Sequence, residues 1–395
     1  MPKRLIALFP IFLLLLGCQT SPHRRASTGP WNTQKLGATP KVSWGTRSNL
    51  VQEVFYEGEP FQGKPTRVFA YVGRPKGEGP FPGVVLVHGG GGKAFRAWAD
   101  HWAQRGYVAI AMDTAGAGPN GRMPDGGPDQ SDDVKFRNFT AAEIPDMWSY
   151  QAVADVIRAH SLLRSLPEVD PKRTALTGIS WGGYLTCIVA GLDHRFKAAV
   201  PVFGCGFLGE NSVWKDRSLA AMQPEARELW LKTFDPSQYL GGVTAPILFL
   251  NGTHDFAYPL DSYQKSYHLV KPRLRHLSIV YKLAHGHIWT YEEVDQFVDR
   301  ALKHKSFPRI GEVHIRDGKV RCKSSARLKS AELYYTKDAG PWDKRVWQKL
   351  PAEIKGKALE VTLPANVPPN ELTMLITATT EDSLRISSDL LQPQR

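Results

Sequence analysis

Short apolar runs recur through the middle of the chain, each closed by small or polar residues, with stretches of helical spacing between them. Such runs at 83–88, 107–113, 173–179, 196–203, 246–251 and 276–283 predict strands buried on both faces. Helices are predicted at 93–105, 146–165, 181–192 and 291–304, and two further strands at 51–57 and 66–74 open the unit as an antiparallel pair. This alternation implies an α/β fold, a mostly parallel sheet covered by helices on both faces. After Phe307-Pro308 the pattern changes to short alternating runs separated by turns, six or seven in about ninety residues, which predicts a small all-β sandwich. Two stretches break the alternation at the carboxyl edge of the sheet, where open α/β folds bind ligands. Residues 114–145 are rich in Gly, Pro and Asp; residues 206–242 read as largely helical and carry Trp214 and Trp230. Ordered connections of this length are expected to shape a pocket.

The chemistry sits where strands end. Gly178-Ile179-Ser180-Trp181-Gly182-Gly183 closes one apolar strand and opens a helix, so the hydroxyl of Ser180 is thrust out at the sheet's carboxyl edge. A serine hydroxyl is a weak nucleophile at neutral pH and needs a histidine to take its proton and a carboxylate to orient that histidine. Asp255 follows the strand ending at Leu250 and is the acid candidate; Asp261, six residues on, falls in the next helix. Ala284-His285-Gly286-His287 follows the last strand and offers two bases, His285 and His287. Another strand runs into His88-Gly89-Gly90-Gly91-Gly92, whose amides, free of side chains, suit a developing oxyanion. The expected donors are the amide of Trp181 and that of Gly90 or Gly91. Lys93 lacks a following Ser or Thr, so the glycine run is not a P-loop.

Together these pieces, with Gly106 to Asp113 and the segment from Val169-Asp170-Pro171 through Gly183, resemble the α/β-hydrolases grouped with acetyl xylan esterases, dienelactone hydrolases and prolyl oligopeptidase catalytic domains. The resemblance covers roughly residues 50 to 305. It implies hydrolysis of an ester, or less readily of an amide, through an acyl-enzyme and without metal or cofactor, and it favours His285, which stands directly before a glycine. It also implies an acetylated polysaccharide as substrate. Trp148, Trp181, Trp214 and Trp289, with Tyr184 and Tyr258, supply flat faces of the kind that stack on sugars, although aromatic residues mostly fill cores. The small C-terminal unit resembles a fibronectin type III domain.

The N-terminus says where the chain works. Lys3 and Arg4 precede an apolar stretch from Leu5 to Leu16, and Leu15-Leu16-Gly17-Cys18 resembles a bacterial lipobox. Cys18 is then the lipidated residue, and Gln19 beside it fits anchorage in the outer membrane of the cell envelope. Loss of Lys3 and Arg4 with the signal lowers the net charge from +12 to +10. No dense basic run or known motif accompanies that charge, so nucleic acid is not an expected partner. Cys187, Cys205 and Cys322 remain; Cys187 and Cys205 are near enough in the predicted order to pair, but buried thiols are the commoner outcome. No spacing of His, Cys or carboxylates suits a metal.

The expected organisation is a lipoprotein signal at 1–18, a tether at 19–48, an α/β-hydrolase domain at 49–305 and a β-sandwich at 306–395. Two other readings stay open. One is a peptidase like the prolyl oligopeptidases, disfavoured because the N-terminal residues cannot build their propeller. The other is a non-catalytic glycan-binding protein on a hydrolase scaffold, disfavoured because every member of the serine constellation is present.

Overall fold

The computed structural model describes residues 28–364 and 368–393; the signal and Cys18 lie outside them. A short helix, α1 (Thr33–Leu36), precedes a large sheet of nine strands. These strands are β1 (Val42–Ser48), β2 (Val51–Glu57), β3 (Arg67–Gly73), β4 (Phe81–Val87), β5 (Val108–Met112), β8 (Val169–Ile179), β9 (Ala198–Val202), β10 (Ile247–Gly252) and β11 (Arg275–Val280), with a two-residue ribbon, β6 (Ala117–Gly118) and β7 (Gly121–Arg122), set apart. They stand in the order β1-β2-β3-β5-β4-β8-β9-β10-β11. The first three strands and the β3–β5 pair are antiparallel, and every later neighbour is parallel. The apolar runs explain this: β5, β9 and β10 are buried at every position, as strands covered on both faces must be.

Two helix layers do the covering. The long helix α4 (Trp148–Ser165) and α5 (Trp181–Leu192) pack together on one face. On the other, α2 (Arg96–Gln104) meets α8 (Glu292–Leu302) through Arg105–Asp299 and His101–Asp295 ion pairs at 2.8 and 2.9 Å. Between them in sequence lie α3 (Asp132–Lys135), α6 (Pro224–Phe234) and α7 (Leu260–Leu269). The expected α/β-hydrolase architecture holds, and the element boundaries shift by a few residues, most at β8, which starts at Val169 rather than 173.

The C-terminal residues form two antiparallel sheets of four strands. One orders β12 (His314–Arg316), β13 (Lys319–Lys323), β17 (Ala358–Thr362) and β16 (Glu353–Lys355); the other orders β15 (Gln348–Pro351), β14 (Leu328–Thr336), β18 (Thr373–Thr380) and β19 (Arg385–Ser387). The second sheet docks on β11. Ser387 Oγ accepts from Ile279 N–H at 2.8 Å, and Thr377 Oγ1 donates to Ile279 O at 3.0 Å. An edge that would otherwise offer open backbone groups is thereby covered.

The tether reading of residues 19–48 needs correction from residue 28 on, residues 19–27 lying outside the described ones. Trp31 is buried, its indole N–H donates to Tyr150 O at 2.9 Å, and its ring lies against Tyr150, Phe234 and Tyr239. Leu36 on α1 is buried as well, while Lys35 and Arg158 both pair with Glu59. Residues 42–48 extend the sheet as β1, antiparallel to β2, with an exposed edge that leaves little hydrophobic pattern to detect. The polar composition of the segment hides one large anchor. Cys187, Cys205 and Cys322 are free thiols, all buried, and Cys187 Sγ donates to Gly204 O at 3.5 Å.

Replacing Trp31→Ala should remove an indole from a closed aromatic contact and cost about 3–5 kcal/mol. Urea unfolding checks it; a change below about 1 kcal/mol would mean that residues 28–48 are not docked as described.

Candidate active site

Ser180 occupies the turn between β8 and α5 with φ 59° and ψ −119°, a backbone conformation that a residue with a side chain rarely adopts. The turn is pinned by Ser180 N–H donating to Val202 O at 2.8 Å and Tyr184 N–H donating to Ser180 O at 2.9 Å. The flanking glycines are required by contact. A Cβ on Gly182 would stand 2.0 Å from Val87 O, one on Gly178 2.3 Å from Gly182 O, and one on Gly183 2.4 Å from Val202 O. The elbow is wedged between the carboxyl ends of β4 and β9, and only hydrogen atoms fit there.

Asp255 lies in the loop after β10 and is 4 % exposed. Its Oδ1 accepts from the amides of Ala257 and Tyr258 at 3.0 and 2.6 Å, and its Oδ2 accepts from His285 Nδ1–H at 2.6 Å. These bonds leave the carboxylate one orientation. The His285 ring stacks on Phe203 at 4.4 Å between centroids and tilts against Phe256 at 5.0 Å, while Tyr291 OH donates to the neighbouring Gly286 O. Its Nε2 is uncommitted among the described residues. Ser180 and His285 line one cavity of about 540 Å3, together with Gly90, Gly91 and Trp181. Asp261 is turned to other work: its carboxylate accepts from Asn211 Nδ2 at 3.0 and 2.8 Å and from Ser262 N–H.

The second histidine of the pair does something else. His287 Nε2 accepts from Gly89 N–H at 3.1 Å, so the proton of the neutral ring is assigned to Nδ1. Burial, with smaller contributions from His88 and His285, pushes this imidazole down to about 4. Its ring rests on Phe95 and Trp98, and its own carbonyl accepts from Trp98 Nε1–H at 2.9 Å. His287 thus holds the glycine run in place. Two further clamps act on the run: Gln130 Nε2 donates to Gly92 O at 3.2 Å, and the buried His88 ring binds Gly89 O and accepts from Thr114 N–H. Gly91 takes φ +68°, and the amides of Gly90 and Gly91 are left unspent among the described residues.

The connection at 114–145 contributes more than its composition suggested. Lys135 reaches the cavity although it is only 3 % exposed, pairs with Asp132 at 3.1 Å, and sets its ammonium 4.5 Å from the Trp181 ring centroid. Burial pushes its pKa down, against the opposing pull of Asp132. Gln130, Lys135, Phe203, Phe256 and Arg217 were not picked out from the sequence, because each becomes significant only once distant segments meet. Among the aromatic candidates, Trp181 and Trp214 line the cavity. Trp148, Tyr184 and Tyr258 are fully buried instead, and Trp289 packs on Trp98 and Trp102.

Chemically, the arrangement offers a hydroxyl on a strained turn, an imidazole fixed by a buried carboxylate, and unspent amides on a clamped glycine loop. Free imidazole titrates near pH 6.5, whereas folded His287 does so at about 4. Between these values the unfolded chain binds a proton that the folded one does not. The contribution of His287 is therefore whole above about pH 6.5 and lost as pH falls through 4. In His287→Ala, the fall in stability over that window should be shallower by up to one proton, and the Gly89 amide should exchange about tenfold faster or more. Denaturation at stepped pH and hydrogen exchange check both; an unchanged Gly89 amide would sink the clamp.

The acetyl xylan esterase (AXE1) family matches residues 42–237, a span that holds the glycine run and the elbow but ends before Asp255 and His285. The chain is 25% identical over 259 residues to the uncharacterized peptidase YuxL of Bacillus subtilis (strain 168), covering 62% of this chain and 36% of that protein. It is 27% identical over 148 residues to the acetyl esterase Axe7A of Xylanibacter ruminicola, covering 34% and 31%. The chain thus spans about a third of the length of these curated relatives. The solved acetyl xylan esterase from Paenibacillus sp. R4 superposes with a TM-score of 0.56 at 23% identity, over 68% of this chain and 92% of that one. A likeness at that identity speaks for the fold. The chain is an α/β-hydrolase in fold, and over residues 42–237 it is similar to the acetyl xylan esterase family.

Proposed function

We propose that the protein is a serine esterase acting on acetylated polysaccharide. In this reading Ser180 attacks the ester carbonyl, and His285 takes its proton and returns it to the leaving alcohol. Asp255 holds the imidazole, and the amides of Trp181 and of Gly90 or Gly91 receive the oxyanion. Water, activated by the same histidine, then releases acetate from the acyl-enzyme. The observation that carries the reading is the 2.6 Å Asp255–His285 bond, with His285 and Ser180 lining one cavity. His285 rather than His287 is the base, since His287 Nε2 is already spent on Gly89. The match to acetyl xylan esterases supports an acetyl ester as the bond cleaved, and the aromatic faces of Trp214 and Phe256 at the cavity suit a sugar. We further propose lipid attachment at Cys18, which places the enzyme on the bacterial outer membrane.

Wild-type protein should label with a fluorophosphonate and hydrolyse p-nitrophenyl acetate. Ser180→Ala should do neither, with kcat lowered about a thousandfold or more, and Asp255→Asn should lose a comparable factor by releasing the histidine's orientation. Folded wild type that neither labels nor turns over would refute the assignment. Faster cleavage of a dipeptide anilide than of the ester would shift it to a peptidase.

A further inference from the structure

The opposite edge of the nine-stranded sheet carries a second concavity, of about 750 Å3, where β9, β10 and β11 begin and the chain leaves α8 for the C-terminal sheets. Every ionisable side chain lining it is basic, and none is acidic. Lys197, Arg273 and Lys305 stand exposed there, and their side chains enter no ion pair or hydrogen bond among the described residues.

Deeper in, Arg309 is held by neutral groups alone. Its guanidinium donates to the carbonyl oxygens of Pro272 and Arg273 at 2.8 and 2.5 Å and lies 3.1–3.3 Å from the ring nitrogens of His276. His276 is no counter-charge: burial, reinforced by Arg309, pushes it down to about 3, and the edges of Phe297 and Phe307 close around it. A half-buried cation without a carboxylate keeps an uncompensated charge, which an external anion would offset.

We propose that this cleft binds an acidic polysaccharide, through carboxylate or sulfate groups that meet Lys197, Arg273, Lys305 and Arg309, away from the hydrolytic cavity. The choice of a glycan rests on the esterase reading above, whereas the demand for an anion does not. A flat anionic bilayer would reach the rim but not Arg309. In addition, none of the exposed large apolar side chains among the described residues borders the cleft to enter lipid.

Titration calorimetry on the mature protein tests this with four probes: oligogalacturonate for carboxylate, carrageenan oligomers for sulfate, neutral xylo-oligosaccharide, and phosphatidylglycerol vesicles. One or both acidic glycans should bind at low ionic strength and weaken about tenfold or more as salt is raised. The double variant Lys197→Glu with Arg273→Glu should lose a similar factor while its melting temperature and p-nitrophenyl acetate hydrolysis stay at wild-type values. Absence of glycan binding, equal binding of the neutral glycan, or indifference to charge reversal would overturn the proposal. So would binding confined to vesicles, which would assign the cleft to a membrane surface. Acidic-glycan binding by a wild type that hydrolyses no ester would leave the cleft standing and remove the esterase reading instead.

Discussion

Close approach of three backbones at the elbow is the constraint from which the site is built. The chain must reverse direction between β8 and α5 while β4 and β9 press in from both sides, and the room left at Gly178, Gly182 and Gly183 is smaller than a methyl group. That crowding over-determines the left-handed turn at Ser180, whose strain would otherwise relax. The same crowding puts the carboxyl ends of β4 and β8 side by side, so the glycine run leaving β4 passes directly by the serine. A Cβ on Gly89 would lie 2.7 Å from Ser180 Cβ. Ser180 and the amide loop are therefore neighbours because of sheet geometry, before any other side chain is considered.

The remaining parts are fixed by groups that commit every lone pair and ring face. Asp255 spends one oxygen on two backbone amides and the other on His285, whose ring is held between Phe203 and Phe256. The glycine run has no side chains of its own to pack, and it borrows its rigidity from His88, Gln130 and His287. Preorganised dipoles stabilise a developing charge only if they do not have to move when it appears. The two histidines of the motif divide these duties, one oriented by a carboxylate and the other orienting an amide.

The succession of strands and helices and the elbow were legible because they rest on strong local signals: unbroken apolar runs, and glycines at fixed offsets from a serine. Asp255 could be placed by counting strands alone. What escaped depends on meetings between distant segments. Lys135, in a loop rich in Gly and Asp, looks like any solvent-facing lysine until it is found buried under Trp181. Trp31 sits in a stretch whose polar composition reads as a tether, and β1 is an exposed edge strand with almost no alternation to betray it. His285 and His287 stand two residues apart, and only the glycine after His285 favours it in sequence; their partners separate them, Asp255 for one and Gly89 for the other.

The C-terminal sheets do more than cover β11. The loop before β15 brings Arg345 O within 3.0 Å of His254 Nε2, which donates to it, and His254 is the residue before Asp255. His254 Nδ1 is 2.7 Å from Thr253 Oγ1, which in turn accepts from Lys282 N–H at the start of the loop that carries His285. A chain of short contacts thus runs from the appended unit into both loops that hold Asp255 and His285. The appendage is in effect a brace: a shift of its 340–346 loop is passed through His254 and Thr253 to the loops of Asp255 and His285.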